Sequence, residues 1–255
     1  MTDTLRESRV LSAVTALVDS LLDDFDIVDL LTELTSHCAD LLDIDAAGLL
    51  LADPRHRLHL MAATSEQSRE LELFQLQSDE GPCRDCYTTG AAVSIADLSA
   101  EQQRWPHFVP AAIHAEFASV HAVPMRAAGT TVGALGLFGT DTGELNEADR
   151  LVAQTPAHIA CVAILQTHAP TPETLPAQLN AALNNRIVVE QAKGYLGELF
   201  NVSVHEAFTL LRAHARAHGG HLTTIARNLI REPGARRQIL GAIRSESGAH
   251  LPPPI

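Results

Sequence analysis

A chain of 255 residues with 46% apolar side chains can bury one large or two ordinary globular cores, and no apolar run approaches the roughly 20 residues that span a bilayer. Its net charge of −13 argues against a polyanion partner for the chain as a whole, yet the charge is unevenly divided. Residues 1–170 hold 25 acids and 9 arginines, a balance of −16, whereas residues 171–255 hold 6 acids and 9 bases, a balance of +3. Two domains with different partners are therefore expected, the basic one being the candidate for polyanions. Four cysteines do not make a disulfide framework in a chain of this size. The segment Met1–Glu7 lacks the charged-then-apolar order of a signal peptide, so the cytoplasm is the expected location.

Taken in order, Leu11, Val14, Val18 and Leu21 recur at spacings of three and four, which predicts an amphipathic helix over Val10–Leu22. That helix, within residues 1–25, is either a homodimer seam or a helix packed on its own domain. Asp26 is placed to cap a second helix whose apolar face runs through Ile27, Leu30, Leu31, Leu34, Cys38, Leu41 and Leu42. Strands follow at Ala47–Leu51 and Leu58–Ala63, joined by a turn at Asp53–Arg57. A helix over Ser65–Gln75, a short strand at Ala92–Ile95 and two strands at Ser119–Met125 and Thr131–Phe138 come next. Asn146 opens a long helix to about Gln166, with a kink expected at Pro156. The order predicts an α+β domain built on an antiparallel sheet with flanking helices.

Within this half, Glu80-Gly81-Pro82-Cys83, Thr89-Gly90, Asp97-Leu98, Arg104-Trp105-Pro106-His107-Phe108, Ser119–Met125 and Gly133–Phe138 stand in one ordered series. That series resembles GAF domains, in particular the branch fused to ANTAR domains in actinobacterial regulators. The resemblance implies a sensor domain over residues 26–167 that takes a small-molecule ligand in a sheet-and-loop pocket, or dimerises. The ligand itself is not named by it: neither a cyclic-nucleotide motif nor a bilin-attachment pattern is evident. Residues 168–176 contain three prolines and read as an extended linker.

Past the linker, a helix is predicted from about Pro176 to Leu199 or Phe200. On it Arg186, Glu190, Lys193 and Gly197 form one stripe at i, i+4, i+7 and i+11, and Val188, Val189, Ala192, Leu196 and Leu199 form the burying side. Lys193 is the only lysine in the chain. Gly194 and Gly197 each cost about 1 kcal/mol in a helix interior, which points to a backbone or ligand in close approach. Ser203 and Glu206 have the spacing of a capping box for the next helix. Its apolar face is Val204, Ala207, Phe208, Leu211 and Ala215, with His205, Thr209, Arg212 and Arg216 opposite, and Gly219-Gly220 ends it. In a third helix Leu222, Ile225, Ala226 and Leu229 point inward, Thr223, Arg227 and Arg231 line another side, and Pro233-Gly234 stops it. Residues 233–255 read as a basic tail and a candidate for disorder.

Glu190-Gln191-Ala192-Lys193-Gly194, Ala207-Phe208, Leu210-Leu211-Arg212, Ala215-Arg216, Leu222 and Ile225-Ala226 together resemble an ANTAR domain over residues 177–232. ANTAR domains are all-α three-helix modules, and the resemblance implies binding to RNA with two neighbouring hairpin loops, in leader or intergenic elements, so that a terminator does not form. Two positions depart from the usual pattern: His218-Gly219-Gly220-His221 stands where a basic contact is common, and Tyr195 follows the Lys-Gly pair. Tyr195 offers either a stacking surface or a bulkier core residue. Arg212, Arg216, Arg227 and Arg231 present planes that can stack on unpaired bases, and Arg186 and Lys193 can add phosphate contacts.

Other chemistry finds less support in the sequence. Cys83-x-x-Cys86 is a candidate redox or metal pair, but a zinc site needs four ligands and would have to recruit His59, His107 or His121. The alternative is a pair of structural thiols. The histidines show no metal-binding spacing on a helix, so no metal site is expected, and neither a phosphate-cradling loop nor a Gly-x-Ser-x-Gly motif is present. The expected protein is a dimeric, non-enzymatic transcription regulator whose first domain senses ligand, redox state or partner. Two alternatives have other functions: a ligand sensor whose C-terminal helices serve protein association, and a thiol-redox sensor.

Overall fold

The computed structural model describes residues 2–22, 25–42, 44–165 and 174–247. These residues form two compact units, one of Met1–Asp24 with Leu30–Asn180, the other of Phe25–Asp29 with Ala181–Ile255. The predicted linker falls mostly on residues outside those described.

The first unit contains α1 (Thr2–Leu22), most of α2 (Ile27–Leu42), β1 (Ala46–Ala52), β2 (Leu58–Ala63), α3 (Glu66–Ser78), α4 (Pro82–Thr89), β3 (Val93–Ile95), a 3-10 turn at Leu98–Glu101, α5 (Phe108–His114), β4 (Ser119–Ala127), β5 (Thr130–Gly139) and α6 (Glu147–Ile164). Its sheet is antiparallel throughout, in the order β2-β1-β5-β4-β3. Every residue of β1 is buried. This suits its unbroken Ala-Ala-Gly-Leu-Leu-Leu-Ala sequence, because a strand covered on both faces has no need of polar alternation. Leu49 pairs with Leu135 and Leu50 with Ala134, so alternate residues feed opposite faces. On one face Leu50, Ala134 and Phe138 join Leu71 of α3, Cys83 and Cys86 of α4, and Phe108 of α5 in a common core.

The predicted strands all occur: β2 has the predicted bounds, β1, β4 and β5 are longer by two residues each, and β3 is shorter by one. The helix predicted at Ser65 begins one residue later, with the Ser65 hydroxyl accepting from the Ser68 amide. Asn146 caps α6 in the same way, through Asp149, and α6 continues through the buried Pro156. The stretch between Asp79 and Ser119, where only β3 was expected, also carries α4, the 3-10 turn and α5. Pro82 occupies the first turn of α4, and Gly81 and Gly90 bracket it at positive φ, where a Cβ would be strained. The Glu80 carboxylate accepts from the backbone amides of His107 (2.5 Å) and Phe108 (2.6 Å), fastening the start of α5. Two motifs far apart in sequence thus meet as one structural joint.

The second unit is helical: α7 (Leu175–Phe200, continuing from the first unit), α8 (Val204–Ala217), α9 (Leu222–Arg231) and α10 (Pro233–Glu246). Its core gathers Val189, Ala192, Leu196 and Phe200 of α7 with Leu211 of α8, Leu229 of α9 and Ile243 of α10. Val28 belongs to the same core. Phe25–Asp29, divided by sequence between the N-terminal segment 1–25 and the domain that starts at 26, groups with this unit by packing: Val28 is apolar and finds its burial among the C-terminal helices.

The tail expectation is corrected for residues 233–246, which are helical. α9 stops at Arg231, just ahead of Pro233-Gly234 as expected, and Pro233 also takes the first position of α10, where its missing amide costs no hydrogen bond. Ile239 and Ile243 bury one face of this helix, and the Arg236 guanidinium donates to the Leu229 and Ile230 carbonyls at the end of α9. Residues 248–255 lie outside the described part. Among the described residues, no helix is long and apolar enough to cross a membrane.

Candidate nucleic-acid interface

The predicted stripe on α7 is real, but its chemistry is inward. Glu190 accepts from Arg186 at 2.7 Å and from Lys193 at 2.7 Å, joining the three as a ladder. The Lys193 side chain is 10% exposed and that of Arg186 12%. The Lys193 ammonium lies 5.3 Å from the Phe208 ring centroid. A lysine so enclosed braces α7 against α8 and offers little of its charge to a phosphate. Gly197 has the close approach that its cost suggested, since a Cβ there would meet the Val202 carbonyl at 3.2 Å. Gly194 has none: nothing lies within 4 Å of the place its Cβ would take.

The arginines of α8 and α9 are more open. Arg212 and Arg216, one turn apart, converge on the two oxygens of Asp29, Arg216 at 3.3 Å. Their side chains are 25% and 54% exposed. Arg227 and Arg231 are exposed, with Arg227 donating to the Asn185 amide oxygen at 3.3 Å. Arg212 and Arg216 therefore form one cluster, while Arg186 and Lys193 belong to the internal ladder.

Other details of the helical unit depart from the predicted faces. Thr223, expected beside the outer arginines, is buried and donates to Asp26 through both its amide, at 2.6 Å, and its hydroxyl. The other Asp26 oxygen accepts from the Val28 and Asp29 amides, the cap expected for α2. Val204, expected inside, is largely exposed. The Ser203–Glu206 capping box forms as predicted. Tyr195 packs against the core with the Arg236 guanidinium 5.4 Å from its ring centroid, so its face is already occupied by a cation.

The cysteine pair sits in the first unit on α4, both thiols wholly buried and reduced. Cys83 donates through its thiol to Glu72 at 3.4 Å and through its amide to Gln75, while Gln75 donates to Glu72 at 3.0 Å. Gly48 and Gly136, paired across β1 and β5, make room for this cluster: a Cβ on either would meet the Glu72 side chain under 3 Å. Burial pushes the Cys83 thiol well above its usual range, and the neighbouring Glu72 and Cys86 add to the effect. Burial likewise raises Cys86 to about 12. Both are protonated at neutral pH, the opposite of a reactive thiolate. Cys38 is a buried core thiol as expected, also raised by burial to about 12. The histidines that a zinc reading would recruit are engaged elsewhere, His59 with Asp53, His107 with Glu80 and His121 with Ser94. Sequence reading missed Glu72, which lies on a predicted helix with no signal that marks it as buried. Burial raises its carboxyl to about 8, with the Cys83 hydrogen bond pulling the other way.

One spacing was overlooked. His214 in the last turn of α8 and His218 at its C-cap are four residues apart, a spacing not recognised among the scattered histidines, and Glu246 of α10 lies beside them.

The GAF domain model matches residues 26–164, and the ANTAR domain model matches residues 177–230. No functionally curated protein matches the sequence. Among solved structures, the chain is similar to the GAF domain from an Acinetobacter phosphoenolpyruvate-protein phosphotransferase, at 17% identity and a TM-score of 0.50, covering 63% of this chain and 95% of that one. It is similar also to the GAF domain of the corresponding protein from Coxiella burnetii, at 16% identity and a TM-score of 0.51, covering 62% and 94%. At these identities the likeness concerns the fold alone. With the first model matched across more than half of its length, the chain belongs to the GAF domain family and carries an ANTAR domain in its C-terminal helices.

Proposed function

We propose that the protein is a cytoplasmic, non-enzymatic transcription regulator that binds RNA with paired hairpin loops through its ANTAR helices and is controlled by its GAF domain. The observation that carries this reading is the convergence of Arg212 and Arg216 on Asp29. Two guanidiniums one turn apart, partly open to solvent and converging on the Asp29 carboxylate, have the charge to meet a phosphate and the planes to stack on an unstacked base. Asp29 orders the pair and competes with RNA for it. Arg227 and Arg231 extend the basic surface, and Arg186 and Lys193 shape it from within.

A homodimer would present two such surfaces to two loops. The reading is supported by α1 and α6, which pack together and leave Leu11, Val18, Leu151 and Val162 exposed. Solvent-facing leucines and valines on two adjacent helices suit a self-associating seam. Leu11→Asp with Val18→Asp is expected to convert a dimer to a monomer in sedimentation.

The deciding experiment is titration of a two-hairpin RNA with the full chain over a range of salt. Specific binding is expected, with a slope of log affinity on log salt of roughly −3 per domain if about four phosphates are engaged. Asp29→Ala is expected to tighten binding by releasing the arginines. If wild type shows no binding at low salt while Arg212→Ala with Arg216→Ala alters assembly instead, the helices serve protein association.

A further inference from the structure

The His214, His218 and Glu246 cluster lies outside everything proposed for RNA or ligand. His214 lies in the last turn of α8 and His218 caps its end, and Glu246 is the last residue of α10. His214 Nδ1 lies 3.1 Å from one Glu246 oxygen, and His218 Nε2 lies 3.6 Å from the other. The three donor atoms all fall within 4.8 Å of one another.

The hydrogen bonding of His218 decides what this arrangement can hold. Its Nδ1 is 3.0 Å from the His214 carbonyl, which can only accept, so Nδ1 carries a proton. In a neutral ring Nε2 is then a bare lone pair, and it faces a carboxylate oxygen. Two acceptors opposed at that distance repel unless a proton or a cation sits between them. The carbonyl contact is also the kind of outer hydrogen bond that fixes the tautomer and orientation of a metal-ligating imidazole. Helix ends add to the bias: α8 and α10 both terminate at the cluster, bringing the negative ends of two helix dipoles to one carboxylate.

We propose that His214, His218 and Glu246 form a site for a divalent transition-metal ion of the zinc class. Bonds of about 2.0–2.1 Å in tetrahedral geometry set ligand atoms about 3.3 Å apart; each imidazole lies near that distance from one of the two Glu246 oxygens, and a small turn of the carboxylate brings a single oxygen to both. Two imidazoles and a carboxylate suit zinc, nickel or cobalt better than the hard cations magnesium and calcium, which prefer all-oxygen shells. Water completes the coordination on the open side, where His218 is 49% exposed. The bound ion ties α10 to α8 on the side facing away from Arg212 and Arg216, since Arg212 and His214 are about 200° apart around the helix. The site thus braces the arginine-bearing helix without competing for its arginines.

The test is calorimetric titration of metal-stripped full-length protein with zinc near neutral pH, alongside cobalt loading read by visible absorption. One zinc ion per chain is expected at this site, together with the ligand-field bands of a tetrahedral nitrogen and oxygen environment. His218→Ala and Glu246→Gln, both at solvent-accessible positions, are each expected to weaken binding by about tenfold or more while circular dichroism stays that of wild type. Zinc should also raise the melting temperature of wild type and leave that of His218→Ala unchanged. Undiminished zinc binding in His218→Ala would overturn the proposal. So would thiolate charge-transfer absorption in the cobalt form, or the absence of zinc binding in wild type, which would leave an imidazolium–carboxylate pair in place of the metal.

Discussion

The two units use polar groups in opposite ways. In the GAF unit the chemically interesting side chains, Glu72, Gln75 and Cys83, are wholly buried and satisfy one another. In the helical unit Arg212 and Arg216 are partly open to solvent and converge on the carboxylate of Asp29. A buried carboxyl surrounded by neutral partners stays neutral, so its energy is read through stability and pH. A partly exposed guanidinium keeps its charge, so its energy is read through affinity and salt. The same pair of experiments, denaturation and RNA titration, should therefore give mirror-image results in the two units.

The largest effect is expected from the GAF core. Phe108 is wholly buried and stacks edge-on against Trp105 with ring centroids 6.0 Å apart, so Phe108→Ala should cost about 3–5 kcal/mol in urea denaturation. A loss of under 1 kcal/mol would mean that this core is far looser than its packing indicates. Arg212→Ala with Arg216→Ala should lower RNA affinity by roughly two orders of magnitude and flatten the salt slope, while shifting the denaturation midpoint little. If stability falls as steeply as affinity, the arginines are structural and the contrast between the units disappears.

Glu72 tests the buried side of the comparison through pH. Its folded pKa of about 8 is above the ordinary carboxyl value of 4.5, so the native state holds a proton that the unfolded chain gives up. Its contribution is fully present below the unfolded value and is lost as pH rises toward the folded one, on the order of 1 kcal/mol per pH unit across that window. Glu72→Gln keeps the neutral shape, and should flatten the profile and make the protein more stable than wild type as pH approaches 8. An unchanged slope would place the titrating group elsewhere. The smallest effect is local: Ser203→Ala removes one half of a capping box and should cost about 1 kcal/mol, with RNA affinity falling only through loss of folded protein.

Element types and their local endings were legible in the sequence because they depend on neighbours within one turn or one strand. Ser65, Asn146 and the Ser203–Glu206 pair cap where their spacing says they should. The apolar face of α7 was legible for the same reason, as was the antiparallel sheet. So were the Glu190 ladder and the pair of arginines on α8, since i, i+3 and i, i+4 positions share a side of any helix. The helices α4 and α5 were less legible: they are short, and their ends are fastened by Glu80 and glycines at positive φ, not by any periodic apolar pattern.

Local spacing was thus enough for the longer helices and the strands, for most of their apolar faces, and for the order of an acidic half before a basic one. Packing between distant segments is what encloses Lys193, makes Gly48 and Gly136 leave room for Glu72, and puts Val28 in the core of the C-terminal helices. It likewise brought Asp29 to Arg212 and Glu246 to His214. Each of these depends on residues distant in sequence meeting in space. Burial and ion pairing are set by what packs against a side chain, which local spacing does not encode.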